Sequence, residues 1–98
     1  MEQNVSTYKQ LLLSALPRLK QKYPIGSLAI FGSYTVGKAN GNSDIDILVS
    51  LNAPMGIEFI DLADELETIT GKKVDLVSRE ALKPRQLAYI EKQLLYVG

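Results

Sequence analysis

Residues 29–49 read AIFGSYTVGKANGNSDIDILV, and the spacing of glycine and aspartate within them decides the fold. An apolar run ends at Phe31, Gly32-Ser33 follows, and a polar stretch leads to Asp44-Ile45-Asp46 at the head of a second apolar run. Side chains alternate along a strand, so Asp44 and Asp46 point to one face while Ile45, Ile47 and Val49 point to the other. Two carboxylates side by side raise each other's energy and call for a positive partner. The stretch therefore predicts two short strands, 27–31 and 44–51. Between them lies a loop over 32–43, punctuated by Gly32, Gly37, Asn40, Gly41 and Asn42, with a brief helical turn after Ser33.

On the N-terminal side, Val5, Tyr8, Leu12, Leu16 and Leu19 recur at three- and four-residue spacing and predict a helix over 4–22. Pro17 lacks the amide donor a helix interior needs, which predicts a kink or two short helices meeting near Leu16. Pro24 and Gly26 close that segment. On the C-terminal side, Pro54 and Gly56 mark a turn. Phe59, Leu62, Ala63, Leu66 and Ile69 then form the apolar stripe of a helix over 57–70, with Gly71 as its cap. Residues 73–77, KVDLV, predict a third strand, and 79–82 a short turn. A last helix starts at Pro84 and runs to about Leu95, with Leu87, Ile90 and Leu94 as its stripe.

The second and third strands are separated by roughly 20 residues that contain a helix, which fits a right-handed parallel crossover. The loop between the first two strands suits antiparallel pairing. The expected fold class is α/β (α+β): a small mixed sheet of about three to four strands packed on helices, in one domain spanning 1–98. This topology brings Gly32-Ser33, Asp44, Asp46 and Asp75 to one sheet edge. Three carboxylates suffice for two divalent cations about 3.5–4 Å apart, as in phosphoryl-transfer sites. Gly32 lets a phosphate approach the backbone, and Ser33 offers it a hydroxyl and an amide.

Composition narrows the chemistry. The chain has 98 residues with neither cysteine nor histidine, so disulfides, thiolate sites and the usual general base and zinc ligand are excluded. A metal held here is a hard cation on oxygen, Mg²⁺ or Mn²⁺. Eleven basic residues balance eleven acidic ones, a net charge of zero that disfavours nucleic acid as a direct substrate. The N-terminal MEQNVSTYKQ lacks an apolar signal core, and no apolar run approaches a membrane span, so no membrane contact and a cytoplasmic location are expected.

Three other features take plain readings. Asp61, Asp64, Glu65 and Glu67 are expected on the solvated face of their helix. Lys72-Lys73 precedes a strand. Residues 32–39, GSYTVGKA, nearly match the P-loop, but Ala39 stands where a hydroxyl must hold Mg²⁺, and turn formers follow in place of a helix.

Gly32-Ser33, ten intervening residues and Asp44-Ile45-Asp46 together resemble the GS-x10-DxD signature of the DNA-polymerase-beta-like nucleotidyltransferases. The small size is similar to the minimal nucleotidyltransferase group, which includes the MntA antitoxins. The resemblance implies a polymerase-beta-like fold and nucleotidyl transfer, with AMP from ATP (or another nucleoside triphosphate) passed to a hydroxyl. It implies two Mg²⁺ ions, with Mn²⁺ as a substitute. Asp44 and Asp46 would hold both, and Asp75 would complete the one that activates the acceptor. Ser33 and the Gly32 backbone would hold the terminal phosphates. Many members carry arginine where this chain has Tyr34-Thr35-Val36, leaving Lys38 as the nearby cation. The resemblance also implies a partner that brings its own surface: a helical HEPN-domain toxin, silenced by AMP on a tyrosine. Two alternatives compete with that expectation, a binding module that neutralises its partner by stoichiometric contact and transfer to an RNA end.

Overall fold

The structure is a computed structural model that describes residues 4–98; Met1–Gln3, the start of the segment read as leader-free, lie outside the described residues. Helix α1 spans Val5–Lys22. The Asn4 side chain accepts a hydrogen bond from the Thr7 amide at 3.2 Å, satisfying one of the donors a helix start leaves free. Tyr8, Leu12, Ala15, Leu16 and Leu19 form the buried stripe. Pro17 does not divide the helix in two as its chemistry suggested; α1 continues through it as one element. Pro17 lies on the exposed side, and Leu13, whose carbonyl loses its partner, is exposed as well, so water can take the freed acceptor.

Strands β1 (Ile25–Phe31), β2 (Ile45–Leu51), β3 (Val74–Ser78) and β4 (Leu95–Val97) form one sheet in the order β3-β2-β1-β4. β1 pairs antiparallel with β2, and β2 pairs parallel with β3, as the connection lengths suggested, while β1 also pairs antiparallel with β4. Helix α2 (Glu58–Thr70) makes the crossover and ends on Gly71, whose φ of 72° is the left-handed cap conformation that glycine adopts freely. Leu28, Ile30, Ile45, Ile47, Val49 and Val97 line the sheet face that meets α1 and the Leu62–Leu66 stripe of α2. Ala29 and Leu48, on the opposite face, are also buried at 1% and 3% exposure, so that face is covered in its middle.

The C-terminal region departs from expectation. Helix α3 spans Pro84–Glu91 and stops short of Leu95, and the last residues form β4 against β1. The acidic side of α2 is also less plain than its pattern. Glu65 accepts hydrogen bonds from the Tyr23 hydroxyl and, at 3.0 Å, from the Lys22 ammonium, tying α2 to the end of α1. Burial, with the bond to Glu65 added, pushes the Tyr23 hydroxyl up to about 12. Glu67 accepts from the Val74 amide at 3.1 Å and so anchors the start of β3. A 3-10 turn over Arg79–Ala81 places Glu80 beneath β2, where its carboxylate accepts from the Leu51 amide at 3.1 Å. Among the described residues no helix is long and apolar enough to cross a membrane.

Candidate active site

Register decides which polar groups meet. Phe31 pairs with Asp46 across β1–β2, and Asp46 pairs with Asp75 across β2–β3. These three side chains therefore share one row on the sheet face turned away from α1 and α2. Asp44 lies two residues upstream of Asp46, just outside β2, and is exposed. The sheet thus sets Asp46 beside Asp75, while Asp44 stands just off the end of β2. The strand is held there by the Ile45 amide, which donates to the Lys73 carbonyl at 2.9 Å.

Gly32 follows β1 and opens a 3-10 turn over Gly32–Tyr34, the brief helical turn expected after Ser33. Its φ is 77°. A Cβ built there would lie 2.0 Å from Asp46 Oδ2 and 3.0 Å from Asp46 Cγ. Only glycine lets the backbone pass this close to the carboxylate. The Gly32 carbonyl accepts from the amides of Thr35 (3.0 Å) and Val36 (3.2 Å) and from the Thr35 hydroxyl (3.0 Å). The Lys38 amide donates to the Ser33 carbonyl at 2.9 Å. The turn is therefore fixed from within, and half-buried Ser33 sits beside the aspartate row.

The electrostatics of the row are unfavourable without a cation. Burial pushes the Asp46 carboxyl up to about 6, and the charges of Asp75 and Asp44 and a hydrogen bond to Asp75 push in the same direction. Among the described residues, no three acidic side chains already stand close enough to enclose a metal ion. Asp46 and Asp75 form the converged pair. Asp44 lies two residues upstream of Asp46, about 6.6 Å along the chain direction, just outside β2. The donor set is all oxygen and suits a hard divalent cation.

Gly32 is also held from a side that sequence reasoning missed. Its amide donates to Gln93 Oε1 at 3.1 Å, a contact spanning 61 residues. Gln93 lies between α3 and β4, where its own amide donates to the Ile90 carbonyl at 2.8 Å. Its position relative to Gly32 depends on β4, which the sequence pattern did not reveal. The Gly32 amide is thus engaged by Gln93, and the absence of a side chain lets the Gly32 backbone lie against Asp46.

Lys38 is exposed, and no helix follows Ala39, in line with rejection of the P-loop. Lys72 takes a defined place, its ammonium donating to the Gly41 carbonyl at 2.7 Å and tying the loop to the end of α2. A cavity of about 800 Å³ opens between that loop, the start of α1 and the end of α2. Tyr8 and Tyr34 line it, their rings edge-on with centroids 5.2 Å apart. The three aspartates do not line it.

A nucleotidyltransferase domain model matches residues 13–97, nearly the full length. The chain belongs to the nucleotidyltransferase family. One relative, a Methanocaldococcus jannaschii protein provisionally named a protein adenylyltransferase, is 39% identical over 97 aligned positions, covering 95% of this chain and 97% of its own. The protein adenylyltransferase MntA of Thermococcus cleftensis is 32% identical over 90 positions, covering 91% of each chain. Among solved structures, a chain of a toxin–antitoxin crystallised with AMP-PNP superposes with a TM-score of 0.73 at 25% identity, covering 88% of this nucleotidyltransferase and 72% of that chain. The four-stranded mixed sheet with its helices is the fold of the minimal nucleotidyltransferases that the Gly-Ser and Asp-x-Asp spacing suggested.

Proposed function

We propose that residues 1–98 act as one domain that transfers AMP from ATP to a hydroxyl of a protein partner, as the antitoxin of a toxin–antitoxin pair. The observation that carries the proposal is the cross-strand pairing of Asp46 with Asp75 beside the side-chain-free Gly32. The names of the relatives and the AMP-PNP complex support the choice of adenylate and of a toxin partner.

In this proposal Asp44, Asp46 and Asp75 hold two Mg²⁺ ions. Those ions neutralise charge that builds up on the phosphates during transfer. Asp46 contributes in its ionised form, which a cation favours and the neighbouring carboxylates oppose. Asp75 lies on the outer side of the row and is exposed, and in this proposal it takes the proton of an incoming hydroxyl. Ser33 holds a phosphate oxygen through its hydroxyl and amide. Lys38 adds a positive charge from the rim of the loop. The acceptor is a tyrosine of a HEPN-domain toxin.

The chain is incubated with its cognate toxin, Mg²⁺ and α-labelled ATP. Label is expected on the toxin, with pyrophosphate released, and is expected to vanish when Asp44→Asn and Asp46→Asn are combined. No labelling by the wild type, or equal labelling by the double variant, would refute the enzyme.

The open placement of Asp44 favours one second reading, a binding module that silences its partner by contact. Neutralisation by an equimolar amount of the double variant without ATP supports contact. Neutralisation that needs ATP and only trace amounts of the chain supports transfer.

A further inference from the structure

Gln93 touches the phosphate-side turn but belongs to none of the roles above. Its orientation is determined. The Gly32 amide can only donate, so the side-chain atom facing it at 3.1 Å is the carbonyl oxygen, and the NH2 group occupies the other branch of the amide. Those two branches are about 2.3 Å apart in a planar amide, so the NH2 group lies no more than about 5.4 Å from the Gly32 amide. No hydrogen bond to another described residue engages that NH2 group, and Gln93 is half-buried. The loop carries Tyr34-Thr35-Val36, with no cation before the exposed Lys38. Two donors without a partner among the described residues therefore lie within about 5.4 Å of the Gly32 amide, on a turn whose loop is poor in positive charge.

We propose that Gln93 is a nucleotide-binding residue, its carbonyl oxygen fixing the Gly32 amide while its NH2 group donates to a triphosphate oxygen of the bound nucleotide. This rests on the proposal that the Gly32-Ser33 turn receives a nucleoside triphosphate. It accounts for a turn that lacks arginine by supplying neutral, preorganised donors from the C-terminal segment. The oxygen anchors the amide plane, so the donors are held in place before the nucleotide arrives.

Two variants separate this role from simple support of Gly32. Gln93→Glu keeps an acceptor for the Gly32 amide and removes both donors. Gln93→Met keeps the length, stays neutral and removes acceptor and donors alike. Affinity for ATP with Mg²⁺ is measured by calorimetry, and melting temperature is recorded in parallel. Both variants are expected to weaken ATP binding at least fivefold, with KM raised more than kcat is lowered. Gln93→Glu is expected to keep the wild-type melting temperature. If both bind ATP within twofold of wild type, or if only the charged Gln93→Glu loses affinity, the donor role is overturned. If Gln93→Met does not fold, Gln93→Ser, neutral and too short to reach, replaces it under the same criteria. A wild-type chain that binds no ATP at all overturns the nucleotide site itself and with it this role.

Discussion

Replacing Gly32 with alanine tests the site through two effects that can be separated. The first is backbone strain. At a φ of 77° an L-residue costs roughly 1–2 kcal/mol relative to glycine. For a chain of this size each kcal/mol lowers the melting temperature by about 4–8 °C. The second is the collision with Asp46, whose Oδ2 would lie 2.0 Å and Cγ 3.0 Å from the new methyl group. The carboxylate sits at the end of a rotatable side chain, so it can turn away and the fold survives. Turning it moves a group of the aspartate row by an ångström or more, a displacement worth about 100-fold in rate. That factor corresponds to about 2.7 kcal/mol at the transition state. Gly37→Ala is the matched control, because Gly37 has a φ of 76° and open space around its Cβ position. Both variants are expected to melt below wild type by similar amounts. Transfer of labelled AMP is expected to fall about 100-fold in Gly32→Ala and less than about fivefold in Gly37→Ala. Equal activities in the two variants would refute the argument that Gly32 exists to make room for Asp46.

Three further outcomes follow from individual groups. The Asp46 carboxyl is raised from 3.8 to about 6 in the folded chain, so the folded state holds its proton more tightly than the unfolded state does. Without divalent cations, Asp46 therefore costs nothing below about pH 4, its penalty grows as pH rises towards 6, and it is complete above that. Asp46→Asn should remove this decline, melt above wild type at pH 7.5 without Mg²⁺ and transfer no AMP; a melting temperature below wild type there would contradict the assignment of strain. Tyr23→Phe deletes the hydroxyl that bonds Glu65, and a loss of about 1–2 kcal/mol in urea denaturation is expected with transfer unchanged. Lys38→Ala should raise KM for ATP less than about tenfold and leave kcat near wild type, because an exposed side chain gives a weak, screened contact; an unchanged KM at low salt would remove Lys38 from the site.

Local pattern made most of the sheet legible. The alternation in Asp44–Val49 placed the aspartates and the core on opposite faces, and the helix-containing connection implied the parallel pairing that sets Asp46 beside Asp75. Gly71 behaved as its position after the α2 stripe suggested. The misses arose where a distant contact outweighed local pattern. Leu87, Ile90 and Leu94 continue a helical stripe, yet Leu95–Val97 gain more by completing an edge of the sheet against β1 than by extending α3. A strand of three residues is too short to show alternation. Gln93 carried no signal of its own, since its meaning depends on a partner 61 residues away. The engaged Gly32 amide was hidden for the same reason. Glu65 and Glu67 read as solvated because their position on the helix is polar, but Tyr23 and the Val74 amide are brought to them only by the packed fold.

The anchoring of β3 sets different tolerances on the two sides of the aspartate row. Glu67, the Gly71 cap and the Ile45–Lys73 bond hold the start of β3 to a single register against β2. Adding or removing one residue between Gly71 and Val74 would turn Asp75 to the opposite face and bury Leu76's neighbours in its stead. The stretch from Lys38 to Ser43 is mostly exposed loop, where a changed length leaves every strand pair intact. Length variation among chains that share this chemistry should therefore collect on the glycine-rich side and be absent from the three-residue link after α2. A library of single-residue insertions would display that asymmetry directly.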